Sequence, residues 1–189
     1  MIKAVVFLCG LLTVNCGLTP LHIKGIQIKN KGDERLWIEM TNEDSFSLPP
    51  GQVASVILEY TWSGKIFARS EQCQVKKCNT PYTVAELTFG GPEGEDRYSV
   101  SIKDGFNKPV KIQPTSPKSF CKSASCSANI ISQCPKTHQV KDEDLNVVAC
   151  RSFPELFQSL CPSAVTSDSD IATNTLSCKT SNTYFVTFG

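Results

Sequence analysis

Histidine is almost missing from this sequence: His22 and His138 are its only two copies, and no Gly-x-Ser-x-Gly elbow accompanies them. A Ser-His-Asp hydrolase needs a placed imidazole beside a serine on such a turn, so that class is set aside. No Cys-x-x-Cys pair occurs either. Without paired thiolates or a set of imidazoles, no metal site is expected. A phosphate-cradling glycine loop is also lacking. The nearest stretch, "FGGPEGED" at 89–96, carries carboxylates that would repel phosphate and reads as a hairpin loop. No cofactor is expected. No Asn-x-Ser/Thr acceptor, internal repeat or low-complexity tract is present.

Excess charge is missing too. Outside the first segment, 18 basic residues stand against 18 acidic ones, Lys3 being the nineteenth base. Nucleic-acid binding requires a basic patch, so no nucleic-acid partner is expected. Neutrality equally argues against strong attraction to anionic membranes. After the opening residues no apolar run approaches the roughly 20 residues that span a bilayer.

What is present begins with "MIKAVVFLCGLLTVNCGL". Lys3 precedes an apolar run from Ala4 to Val14, too short to span a membrane and suited to a secretory signal over residues 1–16. A secreted, extracellular chain over 17–189 is therefore expected as one domain. Outside the signal it keeps eight cysteines: Cys73, Cys78, Cys121, Cys126, Cys134, Cys150, Cys161 and Cys178. An even count in a secreted chain reads as a disulfide framework, although eight cysteines allow about 105 pairings.

Short segments rich in Val, Ile, Thr, Tyr and Phe dominate the chain: "LHIKGIQIKN", "RLWIEM", "QVASVILEYTW", "GKIFARS", "YTVAELTF", "RYSVSI", "KPVKIQ" and "YFVTF". Turn-prone clusters such as "LPPG" and "DGFNKP" separate them, which argues for a sandwich or barrel. One helix is expected in "CRSFPELFQSLCP". Ser152 and Glu155 form a capping box there, Pro154 occupies the first turn, and Phe153, Leu156, Phe157 and Leu160 recur at helical spacing.

In "RYSVSIKDGF", Tyr98, Val100 and Ile102 share one face while Ser99, Ser101 and Lys103 share the other. Strict continuation would drive Asp104 into the apolar side, so the strand must end or bulge there, and Asp104-Gly105 is a frequent turn dipeptide. Read alone, Glu86 is an exposed strand glutamate or the partner of a nearby base, and Asp170 an ordinary loop acid. Tyr60 and Trp62 could stack on a sugar ring, but read more simply as partly buried sandwich positions.

Three blocks together give the chain a resemblance to thaumatin-like proteins. "TVAELTF" resembles the family's Thr-Leu-Ala-Glu-Phe segment, "SVSIKDGFNKPVKIQPT" its Asp-Gly-Phe-Asn block, and "CKSASCSANIISQCP" its Cys-x4-Cys-x7-Cys-Pro segment. Downstream, "FQSLCP", the gap to Cys178 and the ending "SNTYFVTFG" keep the family's order and spacing, and upstream "RLWIEM", "SLPPGQ" and "SGKIFARS" extend the resemblance toward the N-terminus. The resemblance implies an all-β fold: a disulfide-stapled antiparallel β-sandwich with a short helix and a reduced second-domain region at about 134–161. It also implies the bridges Cys73–Cys78, Cys121–Cys178, Cys126–Cys161 and Cys134–Cys150. The family's bridge between the first strand and the C-terminus is absent here with both of its cysteines.

Large members carry an acidic cleft between the sandwich and the second domain. By position, the resemblance places Glu86, Asp104 and Asp170 in that cleft, with Ser99 where a further aspartate stands. The basic position falls on Lys65, with Arg69 as the alternative. Glu86 and Asp104 would then be the catalytic pair, since glycoside hydrolysis needs one carboxyl as acid and one as nucleophile or base. The apolar neighbours of Glu86 suit the acid role. Lys65, Arg69, Ser99 and Asp170 would contact substrate.

The function so implied is a secreted, defence-type antifungal protein that binds β-1,3-glucan or another polysaccharide, with weak endo-β-1,3-glucanase activity. Its alternative is a non-enzymatic interaction protein with a decayed cleft, acting on a protein or membrane target. Ser99 and the shortened second domain favour the alternative.

Overall fold

The computed structural model describes residues 23–74, 78–115 and 121–189. The signal expected over 1–16 and His22 lie outside the described residues. Fourteen strands occur there: β1 (Ile23–Asn30), β2 (Leu36–Met40), β3 (Phe46–Leu48), β4 (Val53–Glu59), β5 (Ser63–Ser70), β6 (Val84–Thr88), β7 (Asp96–Ser101), β8 (Gly105–Phe106), β9 (Val110–Pro114), β10 (Ala124–Cys126), β11 (Gln139–Lys141), β12 (Val147–Arg151), β13 (Leu176–Cys178) and β14 (Thr183–Phe188). Two short helices, α1 (Pro154–Leu160) and α2 (Ile171–Asn174), complete the α-helical content.

A five-stranded sheet of order β10-β9-β14-β1-β4 packs on a six-stranded sheet of order β13-β7-β6-β5-β2-β3. Period-two alternation builds the space between them. Ile26 and Ile28 of β1, Leu36 and Ile38 of β2, Tyr98 and Val100 of β7, and Tyr184, Val186 and Phe188 of β14 all point inward and are essentially buried. Ladders are antiparallel except between β1 and β14, which run parallel with Ile26 beside Tyr184. Each of the eight β-rich sequence segments supplies a strand. The strands not anticipated, β3, β8, β10, β11, β12 and β13, are five residues or shorter.

One ion pair is buried between the sheets. Lys24 Nζ donates to Asp96 Oδ2 at 2.7 Å and to the Ser181 carbonyl at 2.6 Å. Tyr184 Oη donates to the same carboxylate at 2.6 Å, and the Gly90 amide reaches Oδ1 at 3.1 Å. Burial pushes the Tyr184 phenol up, and Asp96 pushes it further. Every charge in the cluster has a partner, which is the condition for burying it. Trp62 and Tyr60 belong to this interior region. Trp62 is 9% exposed and donates to the Thr41 carbonyl, while the Tyr60 ring lies 5.3 Å from the Lys24 ammonium.

Cys73 pairs with Cys78, Cys121 with Cys178, Cys126 with Cys161 and Cys134 with Cys150. Cys121–Cys178 and Cys126–Cys161 tie the long C-terminal excursion back onto the sandwich, while Cys134–Cys150 closes a loop within it. That excursion carries a small three-stranded sheet of order β11-β12-β8. Its third strand, β8, comes from the sandwich's own turn: Gly105 stands opposite Arg151 and Phe106 opposite Cys150. Gly105 has φ +134°, and a Cβ there would come within 2.4 Å of Pro81 Cβ and 2.7 Å of the Cys150 carbonyl. Glycine is thus required where the small sheet meets the sandwich.

The helix forms, but not through the capping box. α1 starts at Pro154 with Phe153 as N-cap, and no side chain caps it. Ser152 lies one residue too early to serve, because the proline fixes the first turn one residue later than the Ser-x-x-Glu spacing requires. Phe157 is fully buried, and Phe153, Leu156 and Leu160 pack against the same core.

Candidate functional site

The outer face of the six-stranded sheet is set by the same alternation as the core. It presents Lys65, Phe67 and Arg69 on β5, Val84 and Glu86 on β6, and Ser99 and Ser101 on β7. The small lobe stands over part of this face. Between them lies a groove of about 670 Å³ lined by Lys65, Tyr82, Val84 and Asp104 on the sandwich side and by Thr137, His138, Arg151 and Ser152 on the lobe side. Asn79, Thr80 and Pro81 form the rest of its wall.

Of the three carboxylates implied by resemblance, Asp104 lines the groove. β7 ends at Ser101, the Ile102 amide turns to the Val165 carbonyl, and Asp104 sits exposed in the turn closed by Gly105 N–H to the Ile102 carbonyl. It makes no hydrogen bond or ion pair among the described residues.

Glu86 stands at the rim. It is directly opposite Lys65 in the β5–β6 ladder, and Lys65 Nζ lies 3.4 Å from its Oε1. Its side chain is 36% exposed. The apolar setting suggested by "TVAELTF" does not surround the carboxylate, because Ala85 and Leu87 point to the opposite, buried face.

Asp170 does not line the groove. Its side chain turns into its own loop, where Oδ2 accepts from the Thr166 amide at 2.9 Å and hydroxyl at 2.7 Å, and Oδ1 from Ser167 and Ser169. Burial alone would push this carboxyl up, but the hydrogen bonds from Ser167, Thr166 and Ser169 win and hold it well below the usual range. Asp170 is therefore a loop staple. The loop it organises covers β7: Val165 bridges Ser101, and Ser99, opposite Glu86, is 3% exposed.

Arg69 is engaged behind the groove. Its guanidinium lies 5.3 and 5.2 Å from the Phe67 and Tyr82 rings, and Nη1 donates to the Cys78 carbonyl at 3.0 Å. Arg69 Nε lies 2.7 Å from Glu39 Oε2, but off the N–H axis, so the contact is one of charge. Lys65, not Arg69, is the base that reaches the groove.

Other side chains in and around the groove were not anticipated as site residues. The Tyr82 and Phe67 rings stack with centroids 4.1 Å apart and planes 12° apart, leaving Tyr82 as a flat wall of the groove. Arg151 is exposed and lines the groove, and its side chain makes no hydrogen bond or ion pair among the described residues. Lys103 is held above the usual lysine range by its 2.8 Å hydrogen bond to Asp168 and, more weakly, by Asp104 and Glu86. Alternation already placed Lys103 on the face of Ser99. The lobe residues carried no sequence signal, since their placement depends on the Cys134–Cys150 bridge. Charges of both signs thus occupy the groove and its rim.

The thaumatin family model matches residues 28–155. Thaumatin-like protein 1 of Prunus persica is 28% identical, with 83% of this chain and 82% of that protein aligned. A glucan endo-1,3-beta-glucosidase of Prunus avium is 31% identical over 67% of this chain and 65% of its own length. Pathogenesis-related protein 5 of Arabidopsis thaliana is 28% identical over 77% and 79%. The solved structure of the thaumatin-like xylanase inhibitor superposes with a TM-score of 0.50 at 15% identity, covering 86% of this chain and 97% of that one, a likeness of fold. With a family model matched across most of the sandwich, the chain belongs to the thaumatin family.

Proposed function

We propose that this chain is a secreted, defence-type thaumatin-like protein that binds polysaccharide of the β-1,3-glucan class in the groove between the sandwich and the small lobe, without depending on hydrolysis. The carrying observation is the groove's makeup: a flat tyrosine wall backed by Phe67, beside Asp104, Arg151, Thr137 and Ser152 as polar groups. Carbohydrate sites use such a pairing of a flat apolar face with a few fixed polar groups. The glucanase-named and pathogenesis-related relatives support the ligand class and the setting.

Hydrolysis requires two carboxyl groups flanking the scissile bond, about 5–5.5 Å apart for retention or 6.5–9.5 Å for inversion. Asp104 is the one carboxylate in the groove lining; Glu86 is tied to Lys65 at the rim, and Asp170 is consumed by its loop. This arrangement favours binding over catalysis.

The test is retention on insoluble β-1,3-glucan together with reducing-sugar release. Wild type should be retained, Asp104→Asn and Arg151→Ala should lose retention, and Glu86→Gln should keep it. Sugar release by wild type that Glu86→Gln abolishes would establish an enzyme instead.

A further inference from the structure

The disulfides differ in how a reductant can reach them. Cys126–Cys161 and Cys134–Cys150 have both cysteines buried, and Cys121–Cys178 has Cys178 buried. Among the described bridges, Cys73–Cys78 alone leaves both cysteines partly exposed. Thiol–disulfide exchange depends on access to a sulfur, and exposed bridges are the labile ones. Cys73–Cys78 also closes the shortest loop, with a sequence separation of 5 against 16, 35 and 57. A short loop restricts the unfolded chain least, so opening it leaves the fold standing.

This bridge sits at the root of the groove wall. Asn79, Thr80, Pro81 and Tyr82 follow Cys78 directly and line the groove. Their downstream end is fixed at Thr83, whose amide donates to Asn107 Oδ1 at 3.0 Å and whose hydroxyl donates to the Lys108 carbonyl at 2.8 Å. Their upstream end is fixed at Cys78, by the bridge and by the 3.0 Å hydrogen bond from Arg69 Nη1 to the Cys78 carbonyl. The same guanidinium lies 5.2 Å from the Tyr82 ring. Cys78, Arg69 and Tyr82 thus connect the sulfurs to the flat wall.

We propose that Cys73–Cys78 is a redox-sensitive clasp: reduction by a dithiol releases wall residues 79–82 and weakens ligand binding in the groove, and reoxidation restores both. The effect on binding rests on the glucan reading of the groove; the release of the wall does not. A thiolate of the dithiol attacks one sulfur, breaking the S–S bond and forming a mixed disulfide while the other cysteine leaves as thiolate. The second thiol of the reductant, deprotonated, then attacks the mixed disulfide, closes the reductant into a cyclic disulfide and frees the second cysteine. Two electrons pass to the protein, and the dithiol's two protons end on Cys73 and Cys78. The three less accessible bridges stay closed and keep sandwich and lobe in place.

Graded dithiothreitol under native conditions, followed by alkylation and peptide mass mapping, shows which bridge opens first. Cys73 and Cys78 should be alkylated while the other three bridges remain closed. At that point backbone hydrogen exchange should rise at Thr80 and Tyr82. Retention on β-1,3-glucan should fall by roughly tenfold, since the ligand must then order the wall itself. Reoxidation should reverse both changes. C73S/C78S should match reduced wild type in both readouts and should not respond to dithiothreitol. Another bridge opening first, or unchanged exchange at Thr80 and Tyr82 after selective reduction, overturns the proposal. So does retention that stays constant as the wall loosens. Oxidised wild type that never binds glucan, with exchange rising on reduction, overturns the ligand reading and upholds the clasp.

Discussion

Lys65 and Glu86 stand directly opposite each other on β5 and β6, with Nζ 3.4 Å from Oε1 and both side chains facing water. A pair so exposed contributes at most about 1 kcal/mol. Glu86→Gln should therefore shift the urea midpoint only slightly and leave the groove's shape intact. A loss of several kcal/mol would show that Glu86 is far more tightly held than its open position implies.

Asp170 should behave very differently. Its folded-state carboxyl is held below the usual range, so its stabilisation is fully present above the unfolded value of about 3.9 and is lost as pH falls toward the folded value. Asp170→Asn should cost about 1–3 kcal/mol at neutral pH through the lost charged hydrogen bonds. The gap between wild type and variant should narrow below about pH 4. Denaturant melts at pH 7 and pH 3 measure both values.

Gly105→Ala should damage the junction between sandwich and lobe. The added Cβ meets Pro81 and the Cys150 carbonyl, at a φ that L side chains rarely adopt. A cost of about 1–3 kcal/mol is expected for the backbone strain alone. Thermal unfolding should report that loss, and glucan retention should fall with it because Pro81 is part of the groove wall.

The disulfides should rank by the loop each closes. Cys121–Cys178 spans 57 residues and Cys73–Cys78 only 5. Chain-entropy reasoning gives about 4 kcal/mol for the first and about 2 for the second. Paired serine variants compared by equilibrium unfolding should preserve that order.

Eight strands were legible because alternating apolar residues fix both the strand and its buried face. Ile26, Val100 and Val186 needed no tertiary information. Asp104 was legible as a turn for the same reason, since β7 had to end before an inward-facing carboxylate. Resemblance gave the disulfide pairs that spacing could not. Two features stayed hidden. The fate of Asp170 depends on four neighbouring hydroxyl and amide donors folding around it, which "SDSDIA" does not announce. The contributions of His138 and Arg151 depend on a lobe closed internally by Cys134–Cys150 and joined to the sandwich through β8, a two-residue strand hidden in "DGFN". Glu86 shows how a local reading fails: its neighbours are apolar in sequence yet face the other side of the sheet.

The most direct test of the central claim is a backbone NMR titration of the isotopically labelled chain with a soluble β-1,3-glucan oligosaccharide. Binding in the groove predicts concerted shifts at Tyr82 and Asp104 on the sandwich and at His138 and Arg151 on the lobe, with no new reducing ends formed. Shifts confined to the five-stranded sheet, or none at all under saturating ligand, would contradict it.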